Sequence, residues 1–281
     1  MAQVGGQVHG GRSQHEIWND LVGEAWVRHA HIHDLQAEPF GLAVLDALGD
    51  LEGARVLDVG CGTGATTTQL IERGAAEVVG VDLSEPMITA ARALVHDPRV
   101  HLELGDVLEL DLGGEFDVVF SRFGVMFYTD PIPAFARLRS LSTSAARLGF
   151  CCWGPPFANP VMTLPVMAAS AVLGQPQLAG PGEPGPFSLS SPDVVRDVLT
   201  AASWATVETT DLSLDPPHPA GDAENVAEVV MEFNPLLVEG LQSHPDRRDD
   251  TRTAIIDALK PLERDGVVHL AAHALVVTAH A

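Results

Sequence analysis

The chain has 281 residues, and its 38 acidic side chains outnumber 16 Lys and Arg, leaving a formal charge of −22. That balance repels phosphate backbones and anionic bilayers, so neither nucleic acid nor membrane is an expected partner and a small neutral or cationic molecule is favoured. Hydrophobic residues make up 46% of the chain, ample for one large domain, and the three cysteines (Cys61, Cys151, Cys152) lack a disulfide-framework spacing, which fits a reducing cytoplasm.

Residues 1–14 are rich in Gly, Gln and His with no apolar run, and read as a flexible tail rather than a signal segment. No stretch approaches the ~20 apolar residues that span a bilayer. Residues 16–35 carry Trp18, Leu21, Val22, Ala25 and Trp26 on a helical pattern. Pro39 is expected to break that helix before a second one over 40–48. A short apolar strand at 56–59 runs into three alternating glycines, Gly60, Gly62 and Gly64, and then into a helix over 66–73 closed by Gly74. A strand over 77–81 ends at Asp82, and Ser84 caps a helix over 86–95. A strand over 100–104 leads to Gly105 and Asp106, and a fourth over 116–121 ends in Ser121, Arg122 and Phe123. A helix over 131–141 and a strand over 146–153 follow. Strands and helices alternating at this spacing predict a doubly wound, parallel α/β sheet.

Beyond Trp153 the pattern changes. Prolines and glycines fill 154–186 around an apolar helix at 161–172, which reads as an insertion or lid. Helices over 192–202, 223–241 and 251–262, with alternating strands over 205–214 and 266–278, complete the chain. Residues 15–281 are thus expected to form one domain, with N-terminal helices over 15–50 and lid or insert regions over 154–191 and 216–262.

Strand, glycine turn and helix N-terminus make a nucleotide-binding corner. A dinucleotide fingerprint places its third glycine three positions after the second. Here the interval is two, and Asp58 stands just before the first. Alone, the corner leaves a dinucleotide and S-adenosylmethionine (SAM) both open. Asp82, 18 residues beyond Gly64, ends the next strand, where a carboxylate can accept from both hydroxyls of a ribose. Asp106 ends the strand after that, where it can receive an adenine amino group while the Val107 N–H meets a ring nitrogen. Asp58, Asp82, Asp106 and Ser121 therefore end, or nearly end, successive strands.

Gly60-Cys61-Gly62-Thr63-Gly64-Ala65-Thr66, Val81-Asp82-Leu83-Ser84, Gly105-Asp106-Val107 and Ser121-Arg122-Phe123-Gly124-Val125-Met126-Phe127 together resemble the class I SAM-dependent methyltransferases. With Asp130-Pro131 and Cys152-Trp153-Gly154-Pro155, the likeness is to a bacterial small-molecule branch, over residues 15–280 and strongest over 54–160. One departure is Ser142-Thr143-Ser144, where the family usually has a Pro-Gly-Gly turn. The resemblance implies a Rossmann-like seven-stranded sheet with the last strand antiparallel, SAM as cofactor and S-adenosylhomocysteine (SAH) as product. It implies that Asp58, Gly60, Cys61, Gly62 and Gly64 hold the methionine end. Asp82 takes the ribose, Asp106 and Val107 the adenine, and Leu83 and Met87 sandwich the adenine or ribose. Ser121 and Arg122 complete the cofactor set, with Arg122 and Phe123 near the sulfonium and the acceptor.

Methyl transfer from a sulfonium needs alignment and water exclusion, and a base only when the acceptor must lose a proton. His29 and His33 share a helix face at i, i+4. The resemblance lays that helix over the cofactor mouth, so they are the candidate bases, against the plainer reading of part-exposed helix histidines. No third or fourth ligand accompanies them, so no metal is expected. Trp18, Trp26, Phe123, Met126, Trp153, Phe157, Asn159 and Phe233 are candidates for the acceptor pocket, with core packing as the alternative. The expected function is methyl transfer to a small aromatic or apolar secondary metabolite, at oxygen, nitrogen or carbon, an indole carbon included. The alternatives are a SAM-binding module without transfer activity and, disfavoured by the glycine spacing, an NAD-dependent oxidoreductase.

Overall fold

A computed structural model describes residues 12–175 and 185–281. The first eleven residues of the expected tail, and residues 176–184 of the expected lid, lie outside the described residues. The chain divides into two compact units. As far as their described residues go, one takes in Met1–Gln36, Pro155–Leu178 and Ser213–His273, the other Ala37–Gly154, Ala179–Leu212 and Ala274–Ala281.

The strands are β1 (Arg55–Val59), β2 (Glu77–Asp82), β3 (Val100–Leu104), β4 (Phe116–Arg122), β5 (Ser142–Trp153), β6 (Ala205–Leu214), a short hairpin of β7 (Glu263–Arg264) and β8 (Val267–Val268), and β9 (Ala272–His280). Seven of them form one sheet in the order β3-β2-β1-β4-β5-β9-β6. The pairs β1–β2, β2–β3, β1–β4 and β4–β5 are parallel, and β9 runs antiparallel to β5. This is the Rossmann-like sheet expected, last strand antiparallel. Val56, Leu57, Val118, Val119 and Phe120 are buried on both faces, as central strands between helix layers require. The chain steps outward from β1 to β3 and then returns across β1 to start β4. The reversal between β1 and β4 is the crevice where open α/β sheets take ligands.

Four local expectations are corrected. The chain is already helical at Gln14–Glu16, where Ser13 and Glu16 form a capping box, so the tail does not reach residue 14. Pro39 does not break its helix, which runs Ala30–Leu48. A proline removes the bond to the carbonyl four residues earlier, and that residue, Leu35, is 53% exposed, so water can satisfy it. The breaks fall instead at Val22, with φ −126° and ψ −12°, and at His29, with φ −103° and ψ 16°. The helix expected over 223–241 is two, Ala223–Phe233 and Pro235–Ser243, because Asn234 stops the first and caps the second by accepting from the N–H groups of Leu236 and Leu237. The strand expected from 266 begins at Ala272, the hairpin β7–β8 preceding it. The unusual Ser142-Thr143-Ser144 stretch is strand, with a register irregularity: Phe116 pairs Ser142 but Val118 pairs Arg147.

In the sheet unit Phe40, Val44, Leu45 and Leu48 are buried at helical spacing. Leu48 lies on Gly149 of β5, where an added Cβ would come within 2.6 Å of the Leu48 Cγ. The other unit is mainly helical. Val166 and Ala169 of Pro160–Leu173, Val226 and Val230 of Ala223–Phe233, Leu237 and Leu241 of Pro235–Ser243, and Ile255 and Leu259 of Arg248–Leu259 share one core. No helix among the described residues is long and apolar enough to cross a membrane.

Candidate functional site

The glycine loop occupies the β1–β4 reversal. Gly60, Gly62 and Gly64 all have positive φ, 72°, 56° and 89°, which glycine adopts without strain. A Cβ on Gly60 would lie 3.0 Å from the Gly124 Cα, so the loops after β1 and β4 touch backbone to backbone. Gly60 and Cys61 donate N–H bonds to the Val81 carbonyl at 2.8 and 3.1 Å, fixing the loop against β2. The Cys61 side chain turns inward beneath Gly80, and burial pushes its thiol well up, so only its backbone belongs to the loop.

Asp58 is fully buried. Its Oδ2 accepts from the Thr66 and Thr67 hydroxyls at 2.7 and 2.8 Å, while Oδ1 has no hydrogen-bond partner among the described residues. Burial pushes its carboxyl up to about 6, against the opposing pull of the two threonines and the nearby Arg122 charge. A buried carboxylate with one oxygen unmatched suits a cationic group. Asp82 is oriented by two backbone donors, Gly62 N–H to Oδ2 and Ser84 N–H to Oδ1, each at 2.9 Å. Burial raises its carboxyl despite those bonds. Asp106 accepts the Leu108 N–H at 2.9 Å and starts a turn in which its carbonyl takes the N–H groups of Glu109 and Leu110. Leu83 is half-buried; Met87 and Val107 are buried. A Cβ on Gly62 would stand 3.8 Å from the Met87 Sδ, which brings Met87 under the loop.

At the end of β4 the Ser121 hydroxyl donates to the Val59 carbonyl at 2.7 Å and accepts the Gly124 N–H at 3.1 Å, tying the two strand ends together. Phe123 holds a positive φ of 60°, strained for a residue with a side chain and of a kind that gathers at functional sites. Its ring stacks on Trp153 at 4.0 Å between centroids, with Phe40 edge-on to both at 5.5 and 5.7 Å. Met126 is buried, and its carbonyl accepts the Ser188 hydroxyl at 2.6 Å.

The remaining expected residues lie in the helical unit. His29 Nε2 meets Glu232 Oε2 at 3.0 Å, and Arg28 reaches the same oxygen at 2.6 Å. A carboxylate only accepts, so Nε2 carries a hydrogen, and in the neutral ring Nδ1 carries the lone pair. His29, then Arg28, hold the Glu232 carboxyl below its ordinary value. Arg28 and Glu232 also line a cavity of about 420 Å³ with Leu21, Ala25, Met231 and Leu241. His33 is sandwiched: Trp26 stacks on it at 3.8 Å and Phe233 meets it edge-on at 4.4 Å. Trp26 Nε1 donates to the Phe233 carbonyl at 3.3 Å, and Trp18 packs edge-on to Trp26 at 5.2 Å. Asn159 is fully buried: its Oδ1 accepts the His273 N–H at 2.8 Å and its Nδ2 donates to the Pro155 carbonyl at 3.2 Å, holding a turn together. Phe157 is 86% exposed.

Sequence reasoning missed Thr66, Thr67, Gly124, Phe40 and Glu232. The threonines were findable, since hydroxyls in the first turn after a glycine loop face the strand end. Phe40 and Glu232 carry no local signal.

Residues 56–143 match a family model described as a methyltransferase domain. Magnesium-protoporphyrin O-methyltransferase of Rhodobacter capsulatus is 40% identical over 85 residues, 29% of this chain and 37% of that protein. Nocamycin O-methyltransferase of Saccharothrix syringae is 28% identical over 199 residues, 66% of this chain and 71% of that protein. Phosphoethanolamine N-methyltransferase 2 of Haemonchus contortus, solved in complex with S-adenosyl-L-methionine, superposes with a TM-score of 0.51 at 18% identity, covering 86% of this chain and 52% of that one. The chain thus spans less than two thirds of two of these three proteins.

Proposed function

We propose that this chain is a class I SAM-dependent methyltransferase that transfers a methyl group to a small-molecule acceptor bearing an aromatic or apolar ring, a reading supported by the methyltransferase-domain match over residues 56–143. The observation that carries the reading is the set of three carboxylates, Asp58, Asp82 and Asp106, on successive strand ends around one glycine loop. In this reading Asp58 and the loop N–H groups hold the amino-acid end of SAM, Asp82 the ribose, and Asp106 with Val107 the adenine. Bound SAM supplies an electrophilic methyl carried on a sulfonium. The chain's residues bind, align and exclude water, which for such a reaction supplies most of the catalysis. The stacked Phe123–Trp153 pair offers a flat apolar wall at the carboxyl ends of β4 and β5, which supports a ring-bearing acceptor.

Oxygen is the proposed accepting atom, since both curated relatives named above are O-methyltransferases; a ring carbon is the competing one. An O–H acceptor must lose its proton, and His29 is the proposed base. Glu232 fixes its tautomer and leaves Nδ1 to accept. His33 is the second candidate, though its ring lies between Trp26 and Phe233.

Calorimetric titration with SAM, SAH and NAD tests the cofactor: micromolar SAH binding is expected, and NAD binding without SAH binding would overturn the reading. A panel of phenols, carboxylic acids and indoles, followed by SAH release, tests transfer. His29→Ala is expected to lower turnover with SAH affinity kept, and unchanged turnover in both His29→Ala and His33→Ala removes the base.

A further inference from the structure

We infer that the Tyr128 hydroxyl is a nucleobase ligand, donating a hydrogen bond to a purine ring nitrogen beside Asp106 and Val107. The inference rests on the adenosine reading of the site given above.

Tyr128 follows the single turn Val125–Phe127 just beyond β4. Its hydroxyl oxygen is buried and has no hydrogen-bond partner among the described residues. The ring is fixed by an edge contact with Phe135, 6.1 Å between centroids at 81°. Phe135 lies on the helix Pro131–Ser140, and two residues later Arg137 Nη2 donates to the Leu110 carbonyl at 2.9 Å. The Leu110 N–H in turn donates to the Asp106 carbonyl at 3.0 Å. One helix thus ties Tyr128 to the turn that Asp106 opens.

Burial, and after it the Asp106 charge, push the phenol well above its ordinary value, so the group keeps its proton and acts as a donor. A buried O–H without an acceptor is destabilising, and a phenylalanine would fill the same space without that penalty. Retention of the hydroxyl points to an acceptor supplied by a ligand. Adenine fits this set: its amino group donates to Asp106, and its ring nitrogens accept from the Val107 N–H and from Tyr128. A guanine would present its carbonyl to Asp106 and be repelled.

The test is calorimetry of wild type and Tyr128→Phe with SAH, 3-deaza-SAH and 7-deaza-SAH, together with melting of the unliganded proteins. Tyr128→Phe is expected to bind SAH about five- to tenfold more weakly, the loss of one uncharged hydrogen bond. Its unliganded melting temperature is expected to equal or exceed that of wild type. One deaza analogue should lose a similar factor on wild type and nothing further on the variant. Equal SAH affinity of the two proteins, or deaza losses identical on both, overturns the inference. Should the variant fold poorly, wild type binding both deaza analogues as tightly as SAH overturns it independently. Wild type failing to bind SAH at all would instead overturn the cofactor reading.

Discussion

The backbone N–H of Gly62 donates to Asp82 Oδ2 across 2.9 Å, joining the loop after β1 to the end of β2. One carboxylate thereby shapes the glycine loop and stands ready for a ribose. Asp82→Asn keeps the side-chain outline but removes the charge and replaces one of the two oxygens that accept from Gly62 and Ser84 with an NH2, which cannot accept. A hydrogen bond to a charged group contributes about 1.5–3 kcal/mol, so SAH affinity should fall by about one to two orders of magnitude. Titration calorimetry reads this, and an unchanged affinity would remove Asp82 from the cofactor set.

Two buried groups set opposite pH dependences. The Asp58 carboxyl, raised to about 6, contributes stability that is full below the unfolded value of 3.8 and is lost as pH rises through 6. The His218 imidazole, lowered to about 4 by burial, contributes stability that is full above its unfolded value of 6.5 and is lost as pH falls through 4. Each is worth about 3 kcal/mol. Asp58→Asn should therefore stabilise the sheet unit at pH 8 relative to pH 4, and His218→Gln should flatten the acid loss of the helical unit. Hydrogen exchange across pH 4–8 separates the two, because it reports on each unit by itself.

Gly60→Ala should cost more than Gly53→Ala, although their φ values, 72° and 74°, are nearly equal. Backbone strain of about 1 kcal/mol or more applies to both. Only Gly60 adds a contact, 3.0 Å to the Gly124 Cα, whereas nothing lies within 4 Å of a Cβ on Gly53. Thermal melting compares them, and equal losses would mean the loops after β1 and β4 yield freely.

Phe123→Ala removes the ring that stacks on Trp153 at 4.0 Å. An aromatic pair of this kind contributes about 0.5–1.5 kcal/mol beyond its area. If the pair forms an acceptor wall, KM for a ring-bearing acceptor should rise severalfold while the SAH dissociation constant stays within about twofold. Equal loss on both would place Phe123 in the cofactor site instead.

Asn234→Ala should destabilise the helical unit by about 1 kcal/mol, through loss of the cap on the N–H groups of Leu236 and Leu237. Asn234→Asp, which keeps the acceptor, should restore it. Chemical denaturation followed by helical circular dichroism checks both.

The carboxyl-edge carboxylates were legible because each rests on a local signal: an apolar run, a stop, and an acid at the stop. The same local logic failed at Pro39, where the helix Ala30–Leu48 continues and Leu35, whose carbonyl loses its donor, is exposed. At Asn159, a polar residue beside an expected lid, the amide holds a turn to His273, a pairing that no near neighbour signals.

By itself the sequence determined the strand and helix alternation, the glycine corner and the acids that follow its strands, since periodicity and turn chemistry act between near neighbours. Only the tertiary structure decided which side chains meet at long range. His29 finds Glu232 across 203 residues, and Phe123 and Trp153 stack only because β4 and β5 lie side by side. Such pairings follow from how helices and strands pack, which no stretch of neighbours encodes. The same holds for Tyr128: its hydroxyl became notable only once packing had buried it without a partner.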